Sequence, residues 1–262
     1  MKHSFLLKTL LAVAILTTSY LPDAFAAFSF GEANNYQDVT MNASDVGQSF
    51  TANWFCSANT NCNNSHLTTL PSANLSATGT FTLDQYGSNY VKISAVIKNT
   101  TSSSFQAALM SIGLSTELSN PNLVPKWDIP GDSGTQGSIF KKVNAPGNFP
   151  GHFSGINACF YEGKSCGGTD INDGLGNGYS GTAPSTDSFT FFLTSNSGTI
   201  GSSLTLSDFA VKFQTSLPGG SFAFGDGLGP SPTPEPGSFW LLGSALLAMI
   251  GFSFRKTMPK KA

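Results

Sequence analysis

The sequence predicts an all-β protein, an antiparallel β-sandwich of the jelly-roll or immunoglobulin-like kind. Several segments place apolar residues at every second position, as strands do when one face lies in a core. Clusters of Gly, Asn, Ser and Pro separate these segments at short intervals, as turns do. Between the two hydrophobic ends of the chain, no segment shows a clear helical period. Many short alternating strands joined by turns are typical of β-sandwiches.

The strands are predicted from this alternation and from short apolar runs. In 91–98, we expect the apolar set that begins with Val91 to face the core and the set that contains Val96 to face solvent. In 209–214, Phe209 begins the set expected in the core, and Ala210 and Lys212 belong to the set expected in solvent. The full set of predicted strands is 48–55, 80–84, 91–98, 105–114, 153–160, 188–194, 209–214 and 221–224.

Two long stretches do not alternate. The stretch 120–151 contains five prolines and Trp127, and we expect it to be a long loop or an excursion at a sheet edge. The stretch 163–184 is rich in glycine and is also expected to be irregular.

Both ends of the chain have the composition of targeting segments. Lys2 and Lys8, an apolar stretch at 10–16 and the small residues Ala24 and Ala26 predict a signal peptide, 1–26, that is removed after Ala26. At the other end, residues 237–256 form an uncharged apolar run closed by basic residues, which predicts a transmembrane helix. The remaining segments are an exported domain at 27–224, a Pro/Gly-rich linker at 225–236 and a cytoplasmic tail at 257–262.

The charge of the exported part excludes one class of function. Residues 27–235 contain seven Lys, no Arg and fourteen Asp or Glu, so their net charge is near −7. Nucleic-acid binding requires a basic surface that neutralises phosphates. We therefore expect no nucleic-acid partner, and no motif in the sequence calls for a cofactor.

The four cysteines predict disulfides, because the chain is exported and the count is even. The favoured pairs are local, Cys56 with Cys62 and Cys159 with Cys166, although four cysteines allow three connectivities. A zinc site formed by Cys56, Cys62 and His66 is the less favoured alternative.

The C-terminal segment resembles a known sorting signal. Pro234, Glu235 and Pro236, the short apolar helix and the Arg255-Lys256 stop are similar to the PEP-CTERM signal of exported proteins in exopolysaccharide-producing Gram-negative bacteria. The resemblance implies recognition and cleavage by exosortase, a membrane-embedded cysteine peptidase. It also implies export through the inner membrane, transient anchoring there, and a final place at the cell surface or outside the cell, associated with exopolysaccharide or biofilm.

The exported part resembles one group of such proteins. The segments 99–103, 111–114, 158–160, 166–168 and 174–178 follow each other as in the cistern group of PEP-CTERM proteins, whose biochemical function is uncharacterised. This resemblance supports a single sandwich domain and adds no activity to the prediction.

The candidate catalytic residues are sparse. Ser133 lies in a Gly-Asp-Ser-Gly sequence like that of a trypsin-type nucleophile, but a triad needs a positioned His, and only His66 and His152 remain after export. Glycoside hydrolysis needs two close carboxylates, and no glutamate lies in a recognisable motif. We therefore expect no enzymatic activity.

Two binding sites are weaker candidates. Asp170, Asn172 and Asp173 lie in a glycine-rich loop and offer oxygen ligands to calcium, although ordinary turn chemistry also explains them. Trp54, Trp127 and Tyr161 are candidates for stacking on sugar rings, with a core position as the alternative for Trp54. The sequence thus favours a non-enzymatic protein of the envelope or extracellular matrix. A carbohydrate-binding module and a carbohydrate-active enzyme are the alternatives.

Overall fold

The regular structure of the described residues consists of β-strands and three short 3-10 turns. A computed structural model describes residues 28–33, 36–57, 71–119, 126–129, 138–144, 149–150, 153, 155–168, 170–181, 184–195, 198–225 and 231–232. The strands are β1 (Ser29–Ala33), β2 (Tyr36–Met41), β3 (Ser49–Cys56), β4 (Leu75–Tyr86), β5 (Tyr90–Asn99), β6 (Ala107–Leu118), β7 (Lys126–Asp128), β8 (Lys142–Asn144), β9 (Ala158–Tyr161), β10 (Leu175–Gly176), β11 (Thr186–Thr194), β12 (Leu204–Thr215), β13 (Ser221–Gly225) and β14 (Ser231–Pro232). Three 3-10 turns lie at Ala43–Asp45, Ile171–Asp173 and Tyr179–Gly181.

The strands form two antiparallel sheets. Sheet A has the order β1-β2-β12-β6-β9-β8, with β13 also paired to β12 and β10 also paired to β6. Sheet B contains β3, β4, β5, β11 and β7 in that order. The prediction of an all-β fold with antiparallel sheets is confirmed. The choice between a jelly-roll and an immunoglobulin-like arrangement stays a prediction.

Phenylalanine rings join the two sheets through one continuous core. Phe50 of β3 meets Phe209 of β12 with ring centroids 5.7 Å apart, and Phe160 of β9 meets Phe191 of β11 at 4.6 Å. Trp54 lies in the same core, and its indole Nε1 donates a hydrogen bond to the Phe209 carbonyl at 3.3 Å. Aromatic pairs of this kind add about 0.5–1.5 kcal/mol each to the free energy of burial.

Sheet B follows the predicted alternation. Along β5, the residues from Val91 to Ile97 at odd positions are buried, and Val96 is 48% exposed on the opposite face. The pattern of β4 also alternates over its whole core-facing length. The predicted assignment of faces in 91–98 is therefore confirmed.

Sheet A departs from the prediction. Ala210 and Lys212 were expected in solvent, but both are buried, and Lys212 is only 4% exposed. The expectation is wrong because the segment around Phe149 and Ile156 packs over the outer face of β6 and β12, where it forms a second small apolar cluster with Ala210. Strands β6 and β12 are consequently buried on both faces over most of their length.

The same covering segment explains an error in the predicted strand 153–160. The strand begins only at Ala158, because Gly155 has a φ of +109° and interrupts the extended backbone. Phe153, predicted within the strand, instead contacts Phe149 with ring centroids 5.8 Å apart. The stretch 120–151 was expected to be a loop, but its described parts contain the short strands β7 and β8.

The chain divides into two compact units, 1–231 and 232–262. The predicted signal peptide and the predicted transmembrane segment 237–256 both lie outside the described residues. Within the part that is described, no helix is long and apolar enough to cross a membrane. The predicted domain boundaries stay predictions.

Candidate functional site

Two buried asparagines hold the connection between β5 and β6. The Asn99 side chain donates to the carbonyls of Ala107 at 3.1 Å and Leu175 at 2.9 Å. The Asn177 side chain accepts from the Ala107 backbone N–H at 3.2 Å and donates to the carbonyls of Ser102 and Phe105, each at 2.7 Å. The segments 99–103 and 174–178, which carry part of the cistern resemblance, are therefore in contact and have a structural role here. Satisfied amides of this kind stabilise a connection that would otherwise bury unpaired backbone groups.

The predicted pair Cys159 and Cys166 forms a disulfide, with the Cα atoms 6.2 Å apart. The bond closes a short loop over the outer face of sheet A. Ser111 of β6 donates its hydroxyl to the Cys166 carbonyl at 2.6 Å, which ties this loop to the centre of the sheet. Cys56 is also disulfide-bonded, and its predicted partner Cys62 lies outside the described residues.

Lys212 lies beside this loop on the same face. Its Nζ donates to the carbonyl of Phe213 at 2.9 Å and to the Ser221 hydroxyl. Burial lowers the pKa of Lys212 to about 8, because the charged ammonium loses most of its hydration. Sequence reasoning missed this residue, since a lysine in an alternating strand normally marks the solvent face.

Three carboxylates lie further along sheet A. Burial raises the pKa of Asp38, and the nearby charges of Asp208 and Glu117 raise it further. Asp208 has a φ of +52° at an irregularity in the pairing of β12 with β6, so its backbone is in the left-handed region. Ser115 donates to the Gly155 carbonyl at 2.5 Å beside this group. The described residues contain no group of three His, Cys, Asp or Glu side chains arranged to hold a metal ion.

The calcium candidates form a 3-10 turn. Asp170 caps the turn, and its Oδ1 accepts from the backbone and side-chain nitrogens of Asn172, both at 2.9 Å. The Asn172 Oδ1 in turn accepts from the side chain of Gln106 at 3.1 Å. Asp173 closes the turn through its backbone N–H, which donates to the Asp170 carbonyl. Two of the predicted ligand oxygens therefore already accept hydrogen bonds, one from within the turn and one from Gln106.

The two tryptophans do not form a sugar-stacking surface. Trp54 and Trp127 are both buried in the core between the sheets. The stacking hypothesis is wrong for these residues, because their positions on β3 and β7 face inward. Tyr161 is partly buried and packs against the cluster that covers sheet A.

The predicted catalytic candidates are not brought together. Glu117 is exposed on β6, and Glu162 forms an ion pair with Lys141 at 3.5 Å. Ser133, His66 and His152 lie outside the described residues, as does the side chain of Glu32.

A shallow groove of about 540 Å³ lies beside the β4–β5 turn. Neutral groups line it, among them the side chains of Asn42, Tyr86, Ser88 and Ser202. The Tyr86 hydroxyl donates to the Gly201 carbonyl at 3.4 Å, and burial raises the pKa of Tyr86 to about 12. The groove thus offers hydroxyl, amide and phenol groups to a ligand.

Comparison of the sequence with models of known protein families identifies the sorting signal. Residues 232–256 match the model of the PEP-CTERM protein-sorting motif. The chain carries a PEP-CTERM sorting motif. The matched segment includes all five predicted sorting residues, Pro234, Glu235, Pro236, Arg255 and Lys256, which lie outside the described residues. The motif marks an exported protein that an exosortase sorts and processes at the membrane.

No curated protein and no solved structure matches the chain. The PEP-CTERM match covers 25 residues, and the resemblance of the exported domain to the cistern group stays a prediction.

Proposed function

We propose that the chain is a non-enzymatic protein of the bacterial envelope or extracellular matrix, associated with exopolysaccharide or biofilm. The PEP-CTERM motif at 232–256 carries this proposal, because it is a signal for export and processing. The segment at 237–256 anchors the precursor in the inner membrane through an apolar helix and the basic stop at Arg255 and Lys256. Exosortase then cleaves near Pro234–Pro236 and releases or transfers the exported domain.

The construction of the domain supports a binding or structural role. Its described groove is lined by neutral side chains rather than by an acid and a base. Lys212, the buried amine, directs its Nζ to a backbone carbonyl and a serine hydroxyl. Both features are those of a scaffold that presents a surface.

A carbohydrate-binding module is the second candidate function. The observation that favours it is the outer face of sheet B, which is open and carries hydroxyl groups in register across four strands. A carbohydrate-active enzyme is the third alternative, for which the neighbouring carboxylates of Asp38, Asp208 and Glu117 on sheet A are the candidate acids.

The sorting proposal is tested by replacing Glu235 and Pro236 together with alanine in the native host. We expect the variant to remain membrane-bound with its C-terminal segment attached, because the cleavage signal is lost. The measurement is the intact mass of the protein in the membrane, surface and medium fractions. Pro230→Ala, just outside the matched segment, is the control and should be processed normally. An unchanged mature mass in the Glu235/Pro236 variant would overturn the proposal.

A further inference from the structure

The outer surface of β3, β4, β5 and β11, named here the hydroxyl face, has an unusual composition for a solvent-facing sheet. The register places Ser and Thr directly beside one another across the strands. One row consists of Ser49, Thr82, Ser94 and Thr190. The next row consists of Thr51, Thr80, Val96 and Ser188. Because adjacent strands are about 4.8 Å apart, each row spans about 14 Å with a regular spacing.

Hydrogen bonds within the rows hold these hydroxyls in place. The oxygens of Ser49 and Thr82 are 2.7 Å apart, and those of Ser94 and Thr190 are 3.2 Å apart. A hydroxyl has one donor and two acceptor lone pairs, so a threonine in such a pair keeps capacity for a second partner. Threonine is also restricted at χ1, and a ligand that binds here therefore orders few additional side chains.

The two central rows of the face are neutral and partly apolar. Val96, in the middle of the second row, is 48% exposed, and Phe55 at the end of β3 is 51% exposed. Charged groups border these rows: Lys98 is exposed two positions along β5 from Val96, and Asp84, 3.7 Å from Lys92, accepts a hydrogen bond from the Ser94 hydroxyl at 2.5 Å. A surface that only needs to remain soluble carries roughly 25–35% charged residues. The two central rows carry none.

We propose that the hydroxyl face binds a neutral polysaccharide chain. Sugar rings present hydroxyls at their edges and C–H groups on their faces, which the threonine hydroxyls, the threonine methyls and Val96 can match. The exported part has a net charge near −7, so a polyanionic chain would be repelled, whereas a neutral chain would not. This inference rests on the proposed export of the domain, and it names the partner of that domain.

The test compares two valines of similar exposure. Val96 lies on the hydroxyl face, and Val46, 43% exposed, lies on the turn before β3. Val96→Lys places a charge at the centre of the face, and Val46→Lys places the same charge outside it. Val96→Thr extends the row of hydroxyls without adding charge. Thr80→Val removes one hydroxyl while it keeps the shape of the side chain.

The assay is co-sedimentation of the full chain, purified in a nonionic detergent, with particles of cellulose, of curdlan, of dextran and of the polyanion alginate. We expect binding to at least one of the three neutral polysaccharides and none to alginate. Val96→Lys should weaken that binding about tenfold or more, the effect of 1.4 kcal/mol, and Thr80→Val should weaken it less. Val46→Lys and Val96→Thr should bind as the wild type does. Thermal unfolding of each variant checks that the fold is intact, and the two independent positions keep the test decisive if one variant unfolds.

Several results would overturn the proposal. These are binding to none of the neutral particles, preference for alginate, equal binding by wild type and Val96→Lys, or a loss caused by Val46→Lys alone. Ser202→Lys tests the groove beside the β4–β5 turn, and a loss confined to that variant would assign the ligand to the groove instead. The assay uses purified protein, so its failure is separate from a failure of the sorting experiment, which measures processing in the host.

Discussion

The outer faces of the two sheets differ although their strands have similar sequence patterns. On β5, Val96 and Lys98 follow the alternation outward and are exposed. On β12, Ala210 and Lys212 follow the same alternation and are buried. The difference comes from the segment around Phe149 and the disulfide loop, which cover sheet A and leave sheet B open.

This comparison shows what a two-residue period can and cannot indicate. The period separates the two faces of a strand, because successive side chains point in opposite directions. The period identifies the buried face of a strand only when the opposite face is exposed to solvent. On β6, every residue from Ala107 to Thr116 is buried, so both faces of that strand lie in apolar surroundings.

A large stabilising effect is expected from replacing Lys212. A lysine whose pKa falls from 10.5 to about 8 on folding costs about 3 kcal/mol at neutral pH. Lys212→Met removes this cost, but it also removes hydrogen bonds that contribute about 1 kcal/mol to stability. The variant should therefore be more stable than the wild type by about 2 kcal/mol at pH 7. Lys98→Met, on the open face of sheet B, is the matched control and should change stability by less than about 0.5 kcal/mol. Urea unfolding measures the free energy of unfolding of both variants. Equal changes from the wild type in Lys212→Met and Lys98→Met would contradict a buried ammonium at position 212.

The same lysine predicts a pH dependence with a definite sign. The folded chain releases the Lys212 proton near pH 8 and the unfolded chain near 10.5, so the unfolded state binds more protons between these values. The contribution of Lys212 to stability therefore rises with pH across this window, and below pH 8 its full cost is present. As the pH rises from 7 to 9.5, the urea midpoint of the wild type should increase relative to that of Lys212→Met. A constant difference would contradict the shifted pKa.

Removal of the disulfide between Cys159 and Cys166 is expected to have an effect of similar size and opposite sign. Replacing both cysteines with serine should destabilise the domain by about 2.5 kcal/mol, because the covering loop regains conformational freedom in the unfolded chain. Hydrogen exchange should accelerate more in β6 and β12 than in β4 and β5. Replacement of Cys56 and Cys62 should not show this preference for β6 and β12. Uniform acceleration in both sheets would show that the loop does not act as a local cover.

The smallest of these effects concerns Gly113 on β6. A Cβ at this position would lie 2.6 Å from the Phe149 ring and 2.9 Å from Ile156, so Gly113→Ala should push the covering segment outward. The expected destabilisation is about 1–2 kcal/mol. Val96→Thr on the open face should change stability by less than about 0.5 kcal/mol. Thermal unfolding measures both effects. An unchanged stability of Gly113→Ala would mean that the segment around Phe149 can move away from β6 without a free-energy cost.

Much of the fold could be predicted from local patterns. The strands near 91–98, 188–194 and 221–224 lie within observed strands, because one buried face and a turn at each end leave a clear signal. The Cys159–Cys166 pair was predictable from its short spacing. Strands β7 and β8 were missed, since three residues are too few to establish a period.

Some of the candidate sites could also be predicted from local sequence, and others could not. The PEP-CTERM motif is a linear signal that a peptidase reads in the chain, so Pro234–Pro236 and the basic stop were recognisable without a fold. The hydroxyl face was not recognisable, although each of its strands alternates visibly. Its rows arise only when β4 pairs with β3 and β5 in one register, and a shift by one residue would turn the threonines into the core.

The order of residues alone therefore decided the PEP-CTERM motif, the acidic charge, the all-β class and the inner face of sheet B. These properties depend on composition or on neighbours within a few positions. The three-dimensional packing decided which outer face is covered and how the hydroxyls align. It also decided that the Lys212 side chain is buried and loses most of its hydration. Those properties depend on contacts such as Phe149 with Gly113 and Ser94 with Thr190, whose partners lie far apart in the chain and meet only after the sheets have formed.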